Sequence, residues 1–169
     1  MLKMVLKNGL PTRKMRWCCK LYKEQGGEGF VKIMGIRAAE SPGRAKAWES
    51  ITAWHGKQES WCVNPILNFS NEQVWEYIKT NGVHYSELYD QGMERLGCVG
   101  CPMNRKRERD FKRWPHMERR WRRAARERWA LMTEKNRAYR TYKNADEWFD
   151  WWKSNTSMPN ENDCQMGLF

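Results

Sequence analysis

The residues with the clearest chemical potential are cysteines. Cys18 and Cys19 are adjacent, and Cys98 and Cys101 form a C-x-x-C with Gly97 and Gly100 interleaved and Pro102 following. A C-x-x-C turn points two thiolates at one metal group, and its glycines let backbone amides approach the sulfurs. Adjacent cysteines suit a tetrahedral zinc ion poorly, because neighbouring side chains diverge, whereas a larger iron–sulfur cube accepts neighbours at different corners. By spacing alone, a single C-x-x-C fits structural zinc about as well as a cluster, and the pairs could also be unconnected buried thiols. Cys62 and Cys164 stand alone; for Cys62 the expectation is a packed core thiol.

Around these residues lies a chain of 169 residues with net charge +11 and 22 aromatics, 11 of them Trp. That length suits one domain, and the aromatic content argues against disorder throughout. No run approaches the ~20 apolar residues of a spanning helix. The opening Met1–Lys14 has no apolar core of signal-peptide length, so a reducing cytoplasm is expected and paired cysteines point to metal or redox chemistry. Charge is concentrated in Arg105–Arg128, with 12 basic and 4 acidic residues. Three segments are therefore expected: 1–104 with the cysteine site, a basic helical extension over 105–153, and a polar tail over 154–169.

The elements that must position these residues follow from pattern. Phe30–Met34 alternates and reads as a strand ending at Gly35. Ser41-Pro42 opens a helix expected over Gly43–Trp54. Trp61–Ile66 is a short extended segment, with Pro65 arguing against a central strand. Ser70 with Gln73 predicts a capped helix bearing Val74, Trp75 and Ile78, stopped at Asn81-Gly82. A short helix is expected over His84–Gln91. Trp114, Met117, Trp121, Ala125, Trp129, Met132 and Tyr139 predict one long amphipathic helix over Pro115–Tyr139, followed by Asp146–Trp152. Two short strands do not make a self-sufficient sheet.

Several motifs in order carry a family resemblance. They are Cys18-Cys19 with Lys23, Gly35-Ile36-Arg37-Ala38-Ala39-Glu40-Ser41-Pro42-Gly43-Arg44, Asn64-Pro65-Ile66, Val74-Trp75-Glu76-Tyr77-Ile78, and Leu88–Gly92 leading into Gly97–Cys101. Together they resemble the sulfonucleotide (adenylylsulfate and phosphoadenylylsulfate) reductase family, and most nearly its iron–sulfur branch. The resemblance implies an α/β family fragment, predominantly helical in this chain, corresponding to the family's C-terminal portion. It implies a [4Fe–4S] cluster on Cys18, Cys19, Cys98 and Cys101, zinc being the alternative, with Lys23 near the cluster. It places Arg37, Ser41 and Arg44 where the family grips the phosphosulfate; guanidinium groups bind oxyanions bidentately. The family's phosphate loop of Ser-Gly-Gly-Lys-Asp-Ser type is absent here, so a phosphate-loop-bearing chain or segment is expected to complete the nucleotide site. Family reductases end in a catalytic Glu-Cys-Gly-Leu-His-like motif. Here the tail reads Asn162-Asp163-Cys164-Gln165-Met166-Gly167-Leu168-Phe169, which leaves Cys164 as the candidate nucleophile and also as a plain tail thiol.

The implied function is an oxidoreductase like phosphoadenylylsulfate reductase, or a sulfur-transfer enzyme. The alternative is a non-enzymatic, metal-stabilised module that binds nucleic acid. Arg119, Arg120, Arg122, Arg123, Arg126 and Arg128 flank Trp121 and Trp129, and arginine contacts phosphates while Trp stacks on bases. The regular apolar spacing favours core packing for the tryptophans, with some arginines paired to Glu118 and Glu127.

Overall fold

The computed structural model describes residues 1–24, 26–27, 29–55, 59–154 and 156. In chain order the elements are α1 (Leu2–Asn8), α2 (Trp17–Tyr22), β1 (Lys32–Ile33), α3 (Pro42–Ala47), β2 (Ile51–His55), β3 (Glu59–Val63), α4 (Asn71–Thr80), α5 (Arg107–Arg113), α6 (Pro115–Trp129), α7 (Arg137–Thr141) and α8 (Ala145–Ser154), with a 3-10 turn at Ala38–Glu40. The chain is mostly helical with a small sheet, consistent with an α/β fragment. Among the described residues no helix is long and apolar enough to cross a membrane.

The chain divides into two compact units. The first joins Met1–Lys23 to the chain from Gly97 onward, and the second is Glu24–Leu96.

The first unit is helical and holds the main core. Phe111 of α5, Trp121, Ala124 and Ala125 of α6, and Trp148, Phe149 and Trp152 of α8 pack with Val5, Leu10 and Tyr142. Trp121 and Trp152 lie 4.9 Å apart between ring centroids. These aromatic pairs add to plain area burial. The spacing that predicts a buried stripe on α6 is realised: Trp121 is 1% exposed. The predicted long helix is shorter, however. It ends at Trp129, and the chain turns before α7. The reason is local: the Thr133 N–H bonds the Asn136 side chain and the Asn136 N–H bonds the Thr133 carbonyl, a self-contained side-chain turn that competes with helix.

The second unit carries a three-stranded sheet in the order β1-β3-β2. β1 pairs parallel with β3, Lys32 opposite Cys62 and Ile33 opposite Val63. β2 pairs antiparallel with β3, Ile51 opposite Val63 and Ala53 opposite Trp61. Four expectations change here. The predicted helix over Gly43–Trp54 stops at Ala47, because Trp48 is extended and residues 51–55 join the sheet instead. The sheet therefore has three strands among the described residues, not two. Pro65 does not keep its segment from the centre, since it lies two residues beyond the end of β3 and removes no ladder donor. Residues 84–91 form turns, not a helix, with Tyr85 and Tyr89 packed edge-on against Trp75. The capping box at Ser70 and Gln73 forms as predicted and starts α4.

Candidate functional site: a cysteine loop on an aromatic platform

All four cysteines of the predicted metal set belong to the first unit. Cys18 and Cys19 lie in α2, and Cys98 and Cys101 flank the Val99-Gly100 turn, which is closed by the Cys101 N–H donating to the Cys98 carbonyl at 3.0 Å. All four thiols are free; Cys98 is exposed and the others are half-buried. Burial, together with the nearby Cys19 and Cys101, pushes the Cys18 thiol up, so sulfurs from the two motifs lie close enough to feel each other's charge. The donor set is thiolate and suits a soft metal group. Among the described residues, however, no three His, Cys, Asp or Glu side chains gather around a single ion. Lys23 caps α2 through its N–H to the Cys19 carbonyl at 2.9 Å, so its backbone sits beside the cysteine pair while its side chain is exposed.

The loop rests on the aromatic core. Gly100 is buried with φ of 80°, and a Cβ there would stand 2.9 Å from Trp121 Nε1 and 3.1 Å from Phe111 Cζ. Only glycine fits that contact and that backbone. The Trp121 Nε1 atom is buried without a hydrogen-bond partner among the described residues, a condition costing about 1–3 kcal/mol for an amide-like donor. Below the loop lies Arg107, 2% exposed. Its Nη2 donates to the Pro102 carbonyl at 3.3 Å, its Nη1 donates to the Trp152 carbonyl, and its guanidinium lies 4.5 Å from the Trp152 ring centroid. Arg13 Nε donates to the same Pro102 carbonyl at 3.4 Å. Burial pulls the Arg107 guanidinium down to about 10, opposed by the Cys101 thiolate. Sequence reasoning missed both Arg107 and Arg13, because one arginine in a basic run looks like the next until burial separates them.

The predicted anion-binding residues lie in the second unit. Ser41 caps α3 by accepting the Arg44 N–H at 3.2 Å. Arg37 Nη1 donates to Asn71 Oδ1 at 2.7 Å and lies 3.9 Å from Glu40. Arg44 pairs with Glu40. Burial and two further cations, Arg95 and Arg37, pull the Arg44 guanidinium down. Three guanidiniums thus lie within electrostatic reach with Glu40 between two of them, a local surplus of positive charge suited to an oxyanion. Arg95 was not anticipated; its only signal is its place just ahead of Gly97.

Cys62 is fully buried in β3, as a core thiol should be, and lies in the other unit from the four paired cysteines. Cys164 lies outside the described residues. The arginines of α6 separate into two groups. Arg122 bonds Glu118, Asp146 and Asp150, and Arg126 bonds Asp146. Arg123 pairs with Glu127, and Arg128 donates to the Leu6 carbonyl at 2.7 Å. Arg119 and Arg120 are exposed.

Comparison with known proteins fits this arrangement. The model of the phosphoadenosine phosphosulfate reductase domain matches residues 3–104. The chain therefore belongs to that family. Similar proteins include an uncharacterized protein of Methanocaldococcus jannaschii, 36% identical over 104 residues, covering 57% of this chain and 25% of that protein. An adenosine 5'-phosphosulfate reductase of Salinibacter ruber is 33% identical over 95 residues, covering 53% of this chain and 37% of that enzyme. An uncharacterized 37.8 kDa protein of Escherichia phage 186 is 36% identical over 127 residues, covering 64% of this chain and 37% of that protein. The chain thus spans well under half the length of these relatives.

Proposed function

We propose that the chain is an iron–sulfur protein and the C-terminal portion of a nucleotide-dependent reductase or sulfur-transfer enzyme, completed by a phosphate-loop-bearing chain or segment. The observation that supports this reading is that Cys18, Cys19, Cys98 and Cys101 all belong to one unit, with Cys98 and Cys101 on one turn. Adjacent cysteines such as Cys18 and Cys19 suit a multi-iron group, whose ligands attach at separate corners, better than a single zinc ion. A cluster there would supply a compact metal charge. The cations at Arg13 and Arg107 and the exposed Lys23 would balance the thiolates that hold it. Arg37, Ser41 and Arg44, joined by Arg95, would take the anionic group of an adenylylated or phosphoadenylylated sulfate. Cys164 would attack the sulfur of that sulfate with the nucleotide phosphate as leaving group, giving an S-sulfonate from which a reduced dithiol partner would release sulfite as it is itself oxidised to a disulfide, restoring the thiol.

The need for a completing partner is supported by the sheet. Partnered residues share a face, so Ile33, Val63, Ile51, Ala53 and Trp61 lie on one side of it. Ile33 is 79% exposed, Ile51 58% and Trp61 55%. β1 also leaves an edge open beyond the described strands. An apolar face beside an open edge calls for another layer. The longer relatives, of which this chain covers 25–37%, would carry that layer within themselves.

Anaerobic purification with metal analysis tests the reading. Iron well in excess of zinc is expected, with Cys18→Ser, Cys19→Ser, Cys98→Ser and Cys101→Ser each losing most of it and Cys62→Ser keeping it. A colourless protein with one zinc per chain, or iron indifferent to these changes, overturns it.

A second reading, nucleic-acid contact, is favoured by the exposed Arg119 and Arg120, which carry no acidic partner among the described residues. Charge reversal of this pair should weaken binding to duplex or single-stranded nucleic acid, with affinity falling steeply as salt rises. Reversal at Arg122, whose charge is already matched by three carboxylates, should not act through phosphate contact. Binding without salt dependence, or none, removes this reading.

A further inference from the structure

The family match ends at residue 104, and the 12 basic and 4 acidic residues of Arg105–Arg128 follow it. The fold sorts these charges. Asp110 is buried and accepts from Asn104, Glu118 accepts from Arg122 and Lys153, and Glu127 pairs with Arg123. Three of the four acids are thus engaged within the unit, and Glu108 is exposed. Arg105, Arg109 and Lys112, just before and on α5, and Arg119 and Arg120 on α6, are exposed and have no acidic partner among the described residues. The two helices adjoin at Trp114, which ends one and begins the other. The makeup of this surface narrows its partner. Phe111, Trp121, Ala124 and Ala125, the buried apolar residues of α5 and α6, face the core. The exposed positions of α5, and of α6 as far as Arg120, hold only Glu, Lys, Arg, His and Pro. A helix lying in a membrane surface needs an apolar face to insert, and a protein interface needs an apolar centre. Cations without either suit a chain of phosphates, where electrostatics alone supplies affinity.

Resting on the nucleic-acid reading above, we propose that α5 and the first turns of α6 form one surface for the phosphate backbone of duplex nucleic acid, through Arg105, Arg109, Lys112, Arg119 and Arg120, indifferent to base sequence and favouring duplex over single strands. The preference for duplex follows from where the aromatic rings lie. Single strands are held by stacking bases on exposed rings. Trp121 packs on Trp152, and Trp129 on Tyr139 and Trp148, while Arg113 covers the half-buried Trp114 at 5.4 Å. What the surface offers is charge, and a duplex presents one phosphate charge per about 1.7 Å of its axis, about twice the density of one of its strands. Contacts to phosphate fix position and carry no sequence information.

The test titrates the full chain, by fluorescence anisotropy over a series of salt concentrations, against two short DNA duplexes of unrelated sequence, an RNA duplex, a single strand of the same length, polyglutamate and vesicles of anionic lipid. The two DNA duplexes should bind equally, and the single strand several-fold more weakly. The slope of log affinity against log salt should be about −4 to −5 for five neutralised phosphates. The DNA and RNA arms decide which duplex is favoured. Replacing Arg105, Arg109 and Lys112 together by Gln, or Arg119 and Arg120 together by Gln, should each weaken binding and flatten the slope by about 0.9 per residue, with melting temperature unchanged because all five side chains are exposed. A single strand bound as tightly as duplex, affinity that depends on sequence, polyglutamate or vesicles bound as tightly as duplex, or a folded variant of either group with parental affinity and slope overturns this inference. Where single strands bind with strong salt dependence, the broader nucleic-acid reading stands. Salt-dependent binding to none of the nucleic acids overturns both.

Discussion

The two units bury their apolar residues in opposite ways. In the cysteine-bearing unit, aromatic rings of α5, α6 and α8 close on one another, and Phe111, Trp121, Phe149 and Trp152 are each at most 3% exposed. In the sheet unit the fully enclosed side chains are few, Cys62 and Asn64 among them, while Phe30, Val31, Ile33, Ile51 and Trp61 are all more than half exposed. Even its buried polar group works locally: Asn64 Nδ2 ties the Glu49 carbonyl at 2.7 Å. The unit that carries the four paired cysteines encloses its aromatic side chains on one another. The unit that carries Arg37, Arg44 and Arg95 leaves an apolar sheet face exposed.

This contrast can be broken most directly at Trp121. Trp121→Ala should cost about 3–5 kcal/mol, read as a lower denaturant midpoint, with hydrogen exchange accelerated across α5, α6 and α8. A loss confined to the sheet, or one near zero, would dissolve the distinction between the units.

A smaller effect is expected from acid. Lys153 and Arg122 bond Glu118 at 2.7 and 3.2 Å. Burial opposes ionisation of Glu118, but these hydrogen bonds prevail and hold its carboxyl below the usual range. Hydrogen bonds from Arg126 and Arg122 do the same for Asp146. Both folded values lie below the unfolded ones, so their stabilisation is complete above about pH 4–5 and fades as pH falls through the depressed values. Glu118→Gln should lower stability by about 1–2 kcal/mol at neutral pH, and thermal melts from about pH 6 to about pH 2 should show a shallower acid dependence than the parent. Equal acid slopes in both would mean that the α6–α8 charge network does not hold this unit together.

The smallest effect should come from the sheet face. Ile33→Lys and Ile51→Lys remove exposed apolar side chains, so melting should change by no more than about 0.5 kcal/mol. Self-association, followed by sedimentation, should fall. A large loss of stability would show that this face is buried within the chain's own fold.

Much of this was legible in local sequence. The Ser70 capping box, the Ser41-Pro42 helix start, the α6 aromatic stripe and a strand before Gly35, here Lys32–Ile33, are each set by neighbours a few residues apart, where sterics and nearest hydrogen bonds decide. The cysteine pairs were legible as pairs from residue type and spacing alone. The failures share a cause. Residues 51–55 read as helix because their strand character depends on β3 as partner, and the long α6 pattern ran past Trp129 because Thr133 and Asn136 hold a turn of their own.

Composition and motif order determined the family, the charge concentration and the candidate thiols, since these are properties of residue identity alone. Only the tertiary structure separated Arg107, buried beneath the cysteine turn, from Arg122, locked to carboxylates, and from the exposed Arg119 and Arg120. Within a run of arginines the residues are chemically identical, and what distinguishes them is the side of the helix, the depth of burial and the acceptor within reach, none of which exists until distant segments pack.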